Sequence, residues 1–368
     1  MLRQTIFITR KVNLFELDIR RGGAQTHTQQ NQRIDKVGHE RISDDEDSSL
    51  GRLASVARNS ADWSPVMAKA DVVFFNRAFD DEVDAAEKLA DFDIVLSMRE
   101  RTPLPGSLID RLPKLRMLGI TGSSNRSLDV SACTGRGVVV CNTGSAARGA
   151  TAELALGLLL AAARAIPAAD ANIRAGRFQE GLPVGLSLAG KTIGIVGLGS
   201  LGSLMARYCQ ALSMNVLAWS QNLTAQKAEA AGAAFVSKEE LFSRSDAISI
   251  HLVLSPRSRG LIGFSDLRRM KPGAILVNTS RGPIVDEAAL LEAVRQGHIV
   301  AALDVYDREP LPVDHALRSA PNTVMTPHLG YGVQETWKEF YGQSLENALA
   351  FLEGKPVRVI NPEANAGS

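Results

Sequence analysis

Cysteine is scarce in this chain, net charge is close to absent, and no apolar run is long. Each shortage removes a class of protein. Only three cysteines, Cys133, Cys141 and Cys209, occur among 368 residues. They lack metal-type spacing, so neither a disulfide framework nor a cysteine metal site is expected. A net charge of +1 offers no field for nucleic acid or an anionic membrane surface. The richest apolar run, LALGLLLAAARAI, is too short to span a bilayer and reads as a buried helix. No secretory apolar segment with a cleavage site opens the chain, and Glu16 and Asp18 speak against a transit peptide. A cytoplasmic protein is the expectation. No histidine–acid cluster has ligand spacing, and no metal is assigned.

What is present is alternation. Residues 1–52 are read as a polar, irregular N-terminal extension, because from residue 22 onward the apolar residues are scattered without period. A helix is expected from Val56 to Ala68. Strands ADVVFFN, DIVLSM, RMLGIT and GVVVCN follow, with helical EVDAAEKLA and GSLIDRLP between them. Such alternation argues for a parallel sheet covered by helices. Thr151 to about Ile166 is apolar nearly all round and is expected to be a buried connecting helix. A second series then runs through KTIGIVG, NVLAWS, AAFV, AISIHLV, AILVNTS, IVAALDVY and TVMTP. Ser237 and Glu240 form a capping box at one helix start. Gly135, Gly232 and Gly297 stand where helices should stop. In the last helix Trp337, Tyr341, Leu345, Ala348 and Leu352 repeat at steps of three and four, one apolar stripe that should pack back on the first domain.

The fold class expected is α/β with two doubly wound domains and a cleft between them. Residues 53–150 plus 329–360 form one discontinuous domain, and residues 151–328, whose strand–turn–helix around Gly197, Gly199 and Gly202 marks a nucleotide-binding domain of Rossmann type, are inserted into it.

Gly197-x-Gly199-x-x-Gly202 lies between a strand and a helix. The first glycine permits the tight turn, the second lets backbone approach a pyrophosphate, and the third lets helix pack on strand. The N–H groups around Ser200, Leu201 and Gly202 open the helix and suit phosphate. An acid should follow about twenty residues on, to bind the ribose 2′-hydroxyl. Ser220 stands there instead, followed by Gln221 and Asn222. Losing the carboxylate weakens preference for NAD, yet no Arg or Lys at 221–223 grips the phosphate of NADP. Weak discrimination with a lean to NAD is expected, NADP remaining usable.

Three more stretches, VNTSRGPIVDEAAL, ALDVYDREP and TPHLGY, each begin as a strand and place a polar group beyond its carboxyl end. These groups are Arg281, Glu309 and His328. Alone, each has an ordinary structural explanation, as a helix cap, a solvated turn residue or a loop histidine. Three at the ligand-binding edge of one sheet point to catalysis. His251 follows a strand and could approach a nucleotide, but is read as structural. His27, His39, His298 and His315 have no assigned role, and Asp286 and Glu287 satisfy a helix dipole.

With these motifs on view, the chain from about residue 53 resembles the D-isomer-specific 2-hydroxyacid dehydrogenases. The likeness runs through LAGKTIGIVGLGSLG, SDAISIHLVLS, MKPGAILVNTSRGPIVDEAALLEAV, AALDVYDREPLP and NTVMTPHLGY. The resemblance implies a coenzyme domain inserted into a flavodoxin-like substrate domain, and a homodimer formed through the coenzyme domains. It implies hydride transfer between nicotinamide and a 2-keto or D-2-hydroxy acid. By motif, Arg281 binds the substrate carboxylate and polarises the keto group, His328 is the acid/base, and Glu309 pairs with it. Asp304 resembles the residue that holds the nicotinamide carboxamide, and Thr279 joins the cofactor contacts. TGSSNRSLD occupies the carboxylate-binding turn, which brings in Ser123 and Ser124, and Arg99 lies where some members contact substrate.

The chain departs from the family in three places. The polar tract precedes the first helix where a strand is usual, so either TIFIT at residues 5–9 supplies that strand or the domain lacks it. Ser124 replaces a glycine in the substrate turn, and Val253 replaces a proline near the adenine side. Two alternatives stay open. One is a phosphoglycerate dehydrogenase, for which no appended regulatory domain is expected beyond the last helix. The other is a non-catalytic, NAD-sensing interaction protein of the co-repressor kind.

Overall fold

The computed structural model describes residues 5–10, 56–75, 79–98, 102–144 and 149–365. Arg99 and most of the polar tract, with the irregularity expected of it, lie outside these residues. The chain divides into two compact units, Met1–Ala146 with Gln334–Ser368, and Ala147–Val333.

The first unit is built on strands β1 (Thr5–Arg10), β2 (Ala70–Phe75), β3 (Ile94–Ser97), β4 (Met117–Ile120) and β5 (Val139–Cys141), ordered β2-β1-β3-β4-β5. TIFIT is thus a strand, and the extension is not irregular there. β3, β4 and β5 run parallel, but β1 is antiparallel to both its neighbours, against the expectation of a wholly parallel sheet. Backbone hydrogen bonds fill a slot between strands in either direction. Burial then decides, and Ile6 and Ile8 are 1% and 0% exposed. Each is worth about 1.5–3 kcal/mol on full burial.

The helix expected over Val56–Ala68 is two short helices, Val56–Asn59 and Ser64–Met67. Pro65 sits in the first turn of the second, where its missing N–H is harmless. Gly135 is the last helical residue rather than the turn, which falls on Gly137 at φ 69°. The helix Gln334–Leu352 buries Tyr341 and Ala348 in the same cluster as Ile6, Ile8 and Ile94. This burial of one stripe places the C-terminal segment in the first unit.

The second unit has seven parallel strands: β6 (Thr192–Val196), β7 (Asn215–Trp219), β8 (Ala234–Phe235), β9 (Ala247–Ile250), β10 (Ala274–Asn278), β11 (Ile299–Leu303) and β12 (Thr323–Met325). Their order, β12-β11-β10-β9-β6-β7-β8, reverses direction between β6 and β9. Ligands bind doubly wound sheets at the carboxyl edge of such a switch point. One core cluster gathers Ile248, Leu276, Leu303 and Phe242, and another gathers Ile195, Val277, Met205 and Leu159. Alternate residues of single strands therefore feed two separate cores, the signature of a sheet covered on both faces. At Ser237 the side chain accepts from the Glu240 N–H while Glu240 accepts from the Ser237 N–H, closing a capping box.

The apolar connecting segment forms two helices, Ala150–Ala163 and Ile166–Arg174, broken at Ala165 with φ 47°. Over the expected Thr151–Ile166 it is not buried throughout: Ala155, Leu158 and Leu159 are, but Leu160 and Ile166 are 36% and 52% exposed. Among the described residues no single helix is long and apolar enough to cross a membrane. These two reach that length only as a pair bent by 64°.

Candidate active site

The glycine turn follows β6 at the switch point. Gly197 has φ 98°, and a Cβ there would stand 2.6 Å from the His251 carbonyl oxygen. A Cβ on Gly202 would stand 2.0 Å from the Gly197 carbonyl oxygen. Both positions exclude any side chain. Gly199 differs, because a Cβ would meet nothing within 4 Å. It opens the helix Ser200–Ala211 with no side-chain cap on the first N–H groups. Closed glycines below and open space above form the cradle a pyrophosphate needs.

Ser220 is half-buried just past β7, and Gln221 and Asn222 are exposed. One residue beyond the paired Ile250 and Asn278 lie His251 and Thr279. Thr279 Oγ1 and His251 Nδ1 are both buried without a hydrogen-bond partner. Orphaned buried polar atoms just past the ends of two neighbouring strands are unusual, and each costs desolvation energy. The other His251 nitrogen meets Ser249 Oγ at 2.9 Å. Burial pushes the His251 imidazole down to about 4, so it is neutral near pH 7.

Arg281 follows β10 and precedes the turn Gly282–Ile284; its guanidinium donates to the Ser280 carbonyl at 2.7 Å. Gly282 is pressed onto the neighbouring loop, where a Cβ would lie 2.1 Å from the Tyr306 carbonyl carbon. The turn that carries Arg281 therefore rests directly on the loop after β11. That loop carries Glu309.

Glu309 Oε2 meets His328 Nδ1 at 2.6 Å, and its Oε1 accepts the Tyr306 N–H at 3.0 Å. About a fifth of each side chain in the pair is exposed. The carboxylate accepts a hydrogen bond from the Nδ1–H, which leaves Nε2 as the face of the ring free of this bond. His328 itself is left-handed, at φ 55°, and its ring meets Tyr331 edge-on at 5.8 Å.

Asp304 anchors the loop bearing this histidine. It accepts from Thr326 Oγ1 at 2.6 Å and the Leu329 N–H at 2.7 Å on one oxygen, and from the Gly330 N–H at 2.9 Å on the other. Burial raises its carboxyl above the ordinary value, and those donors and the charge of His328 pull against it. Thr151 Oγ1 fastens the Gly330 carbonyl from the other side at 2.9 Å.

Thus Glu309 and His328 are hydrogen-bonded, and Arg281 and Asp304 join them through packed loops of the same unit. Ser123 and Ser124 lie in the first unit, exposed in the turn after β4. Gly122 enters that turn at φ 82°, its N–H held by Thr143 Oγ1 at 2.8 Å. Arg99 lies outside the described residues. Val253 is 76% exposed. Tyr306 and Thr326 carry no role expected from sequence, although they stand in ALDVYDREP and TPHLGY. Among the described residues no group of His, Cys, Asp or Glu is arranged to hold a metal ion.

A parallel sheet with a glycine turn at its switch point, and with a histidine–carboxylate pair and an arginine at the same edge, is the arrangement of a dinucleotide-binding domain. Comparison with known proteins makes the assignment specific. Residues 156–330 match the model of the D-isomer specific 2-hydroxyacid dehydrogenase, NAD binding domain. A glyoxylate reductase of Aeropyrum pernix is 39% identical over 265 residues, covering 70% of this chain and 79% of that protein. A D-3-phosphoglycerate dehydrogenase of Archaeoglobus fulgidus is 38% identical over 262 residues, covering 71% of this chain and 50% of that one. The chain thus spans about half the length of that relative. A solved phosphoglycerate oxidoreductase from Vibrio cholerae superposes with TM-score 0.72 at 35% identity, covering 76% of this chain and 90% of the other. The chain belongs to the D-isomer specific 2-hydroxyacid dehydrogenase family, and the cofactor of its second unit is NAD.

Proposed function

We propose that this protein is an oxidoreductase that transfers hydride between NAD(H) and a small 2-keto or D-2-hydroxy acid. The observation that carries the reading is the 2.6 Å contact between His328 Nδ1 and Glu309 Oε2 at the edge that bears the glycine turn. The bound nicotinamide supplies or accepts the hydride. Residues Gly197 to Gly202 hold the pyrophosphate, with Thr279 and Asp304 toward the nicotinamide end. His328 delivers a proton from Nε2 to the oxygen that becomes the hydroxyl. Glu309 keeps the ring oriented so that Nε2 is presented to the substrate. Arg281 meets the substrate carboxylate with a planar fork and withdraws charge from the keto oxygen. The family likeness offers Ser123, Ser124 and Arg99 as further candidates for substrate binding.

Ser220 supplies a neutral hydroxyl where a carboxylate would repel a 2′-phosphate. We therefore expect affinities for NAD and NADP within about a hundredfold of each other, with NAD ahead, since a neutral in place of a charged bond changes binding by only 1–2 kcal/mol. A homodimer through the second unit is part of the proposal. Ile166, Ile173, Phe178 and Val184 are 52%, 59%, 68% and 100% exposed, an apolar surface suited to a second copy. Cytoplasmic residence fits three buried cysteines without a disulfide.

The test follows oxidation of reduced nicotinamide with glyoxylate, hydroxypyruvate, pyruvate, bulkier keto acids and phosphohydroxypyruvate. Turnover of one of them, lost in His328→Ala, is the expected result. Near-normal turnover by His328→Ala ends the assignment. Preference for the phosphorylated acid would make the chain a phosphoglycerate dehydrogenase. Binding of NAD without turnover of any of them would favour a sensing role.

A further inference from the structure

The carbonyl of Thr326 accepts two bonds. One comes from the His328 N–H at 3.1 Å and the other from the Tyr306 phenol at 2.9 Å. The first is a contact across only two residues, and it accompanies the left-handed backbone of His328. Such a conformation costs a non-glycine residue of order 1–3 kcal/mol and persists only where neighbours hold it. Tyr306 is 8% exposed, and its own N–H donates to Glu309 Oε1 at 3.0 Å. One residue therefore grips both partners of the histidine–glutamate pair, the carboxylate through its backbone and the histidine turn through its ring.

We infer that Tyr306 is a positioning residue for the proton donor, its phenol hydroxyl holding the Thr326 carbonyl so that His328 stays in line with Glu309. The inference rests on the reading of His328 as the acid. Burial, then the negative charges of Asp304 and Glu309, push the Tyr306 hydroxyl up to about 12, so it remains a donor throughout the working pH range. Asp304 fixes the far side of the same turn through Thr326 Oγ1, Leu329 and Gly330. It leaves the Thr326 carbonyl to Tyr306. A phenylalanine at 306 would fill the same space and release that carbonyl.

The experiment compares the wild-type holoenzyme with Tyr306→Phe and with Tyr306 replaced by fluorotyrosine, which keeps a donor. Two quantities are read: steady-state kinetics, and the proton resonance of His328 Nδ1–H, assigned by its loss in His328→Ala. In Tyr306→Phe, kcat should fall about fivefold, the worth of one neutral hydrogen bond. KM for the keto acid and Kd for NAD should hold. The His328 Nδ1–H resonance should move upfield and exchange faster with water, and fluorotyrosine should restore both readouts. A structural role alone would lower the melting temperature and leave that resonance in place, which overturns the inference. Unchanged kcat and resonance in Tyr306→Phe overturn it as well. The reading beneath it fails separately, through an active His328→Ala.

Discussion

His328 Nδ1 and Glu309 Oε2 lie 2.6 Å apart, although 19 positions separate them in the chain. The second oxygen of Glu309 is spent on the Tyr306 N–H, so the carboxylate cannot swing away without breaking a backbone bond. A carboxylate held in this pose fixes the orientation of the imidazole, which proton delivery to a developing alkoxide requires.

Replacing Glu309 by glutamine keeps the shape and removes the charge. We expect kcat of Glu309→Gln to drop roughly a hundredfold, the lower end of what general acid–base groups contribute. NAD affinity measured by titration should not change. A drop below threefold would show that the pairing matters little for turnover.

Much of this site was legible in the chain for a definite reason. Arg281, Glu309 and His328 each follow a strand whose β-branched, apolar run is easy to read, so their place at the carboxyl edge follows from topology. The glycine turn was legible because Gly197 and Gly202 do what only glycine can, and their neighbours alternate cleanly between strand and helix. The role of Asp304 in the turn was not. Its partners, Thr326 and two N–H groups, come from another loop, and no local pattern records which backbone donors will converge on a carboxylate. Tyr306 escaped for the same reason. Nor does sequence give strand direction: Ile6 and Ile8 call for burial, and β1 meets that demand while running opposite to its neighbours. The break before Ser64 was readable from Pro65, but the apolar helix period ran through it.

Arg281→Lys should separate binding from chemistry. Lysine keeps the charge but presents a single point in place of a fork. KM for the keto acid should rise roughly ten- to a hundredfold, matching loss of one charge-assisted bond, with a smaller change in kcat. An unchanged KM would remove Arg281 from the substrate contacts.

The two glycines of the turn should respond differently to alanine. In Gly202→Ala the new Cβ meets the Gly197 carbonyl at 2.0 Å, so the apo protein should lose about 1–3 kcal/mol as strain spreads into β6. In Gly199→Ala the Cβ enters open space and φ is −83°, so apo stability should match wild type. What Gly199→Ala should lose is the rise in melting temperature on adding NAD, because the methyl fills the place of the phosphates. Equal NAD-induced stabilisation in Gly199→Ala and wild type would contradict the cradle.

His251 makes a prediction about acid. Burial lowers its folded value to about 4 from 6.5, so in between the unfolded chain binds a proton that the folded one refuses. Stability rises with pH wherever the unfolded state holds more protons. Unfolding free energy should therefore fall as pH drops from about 6.5 to about 4, and level off for this group below that. His251→Asn should flatten that slope in denaturant titrations across the range. A slope identical to wild type would assign the acid sensitivity to other groups.

Strand β1 has a consequence for handling the protein. Among the described residues its strand is the only sheet partner of β2, and it also covers one side of β3. Clipping the first ten residues would cut Ala70–Phe75 loose and turn Ile94–Ser97 into a bare rim of unmatched amides. Such rims recruit other chains. A truncated preparation would clump before its nucleotide-binding half had lost a single bond, and its poor recovery would say nothing about the histidine.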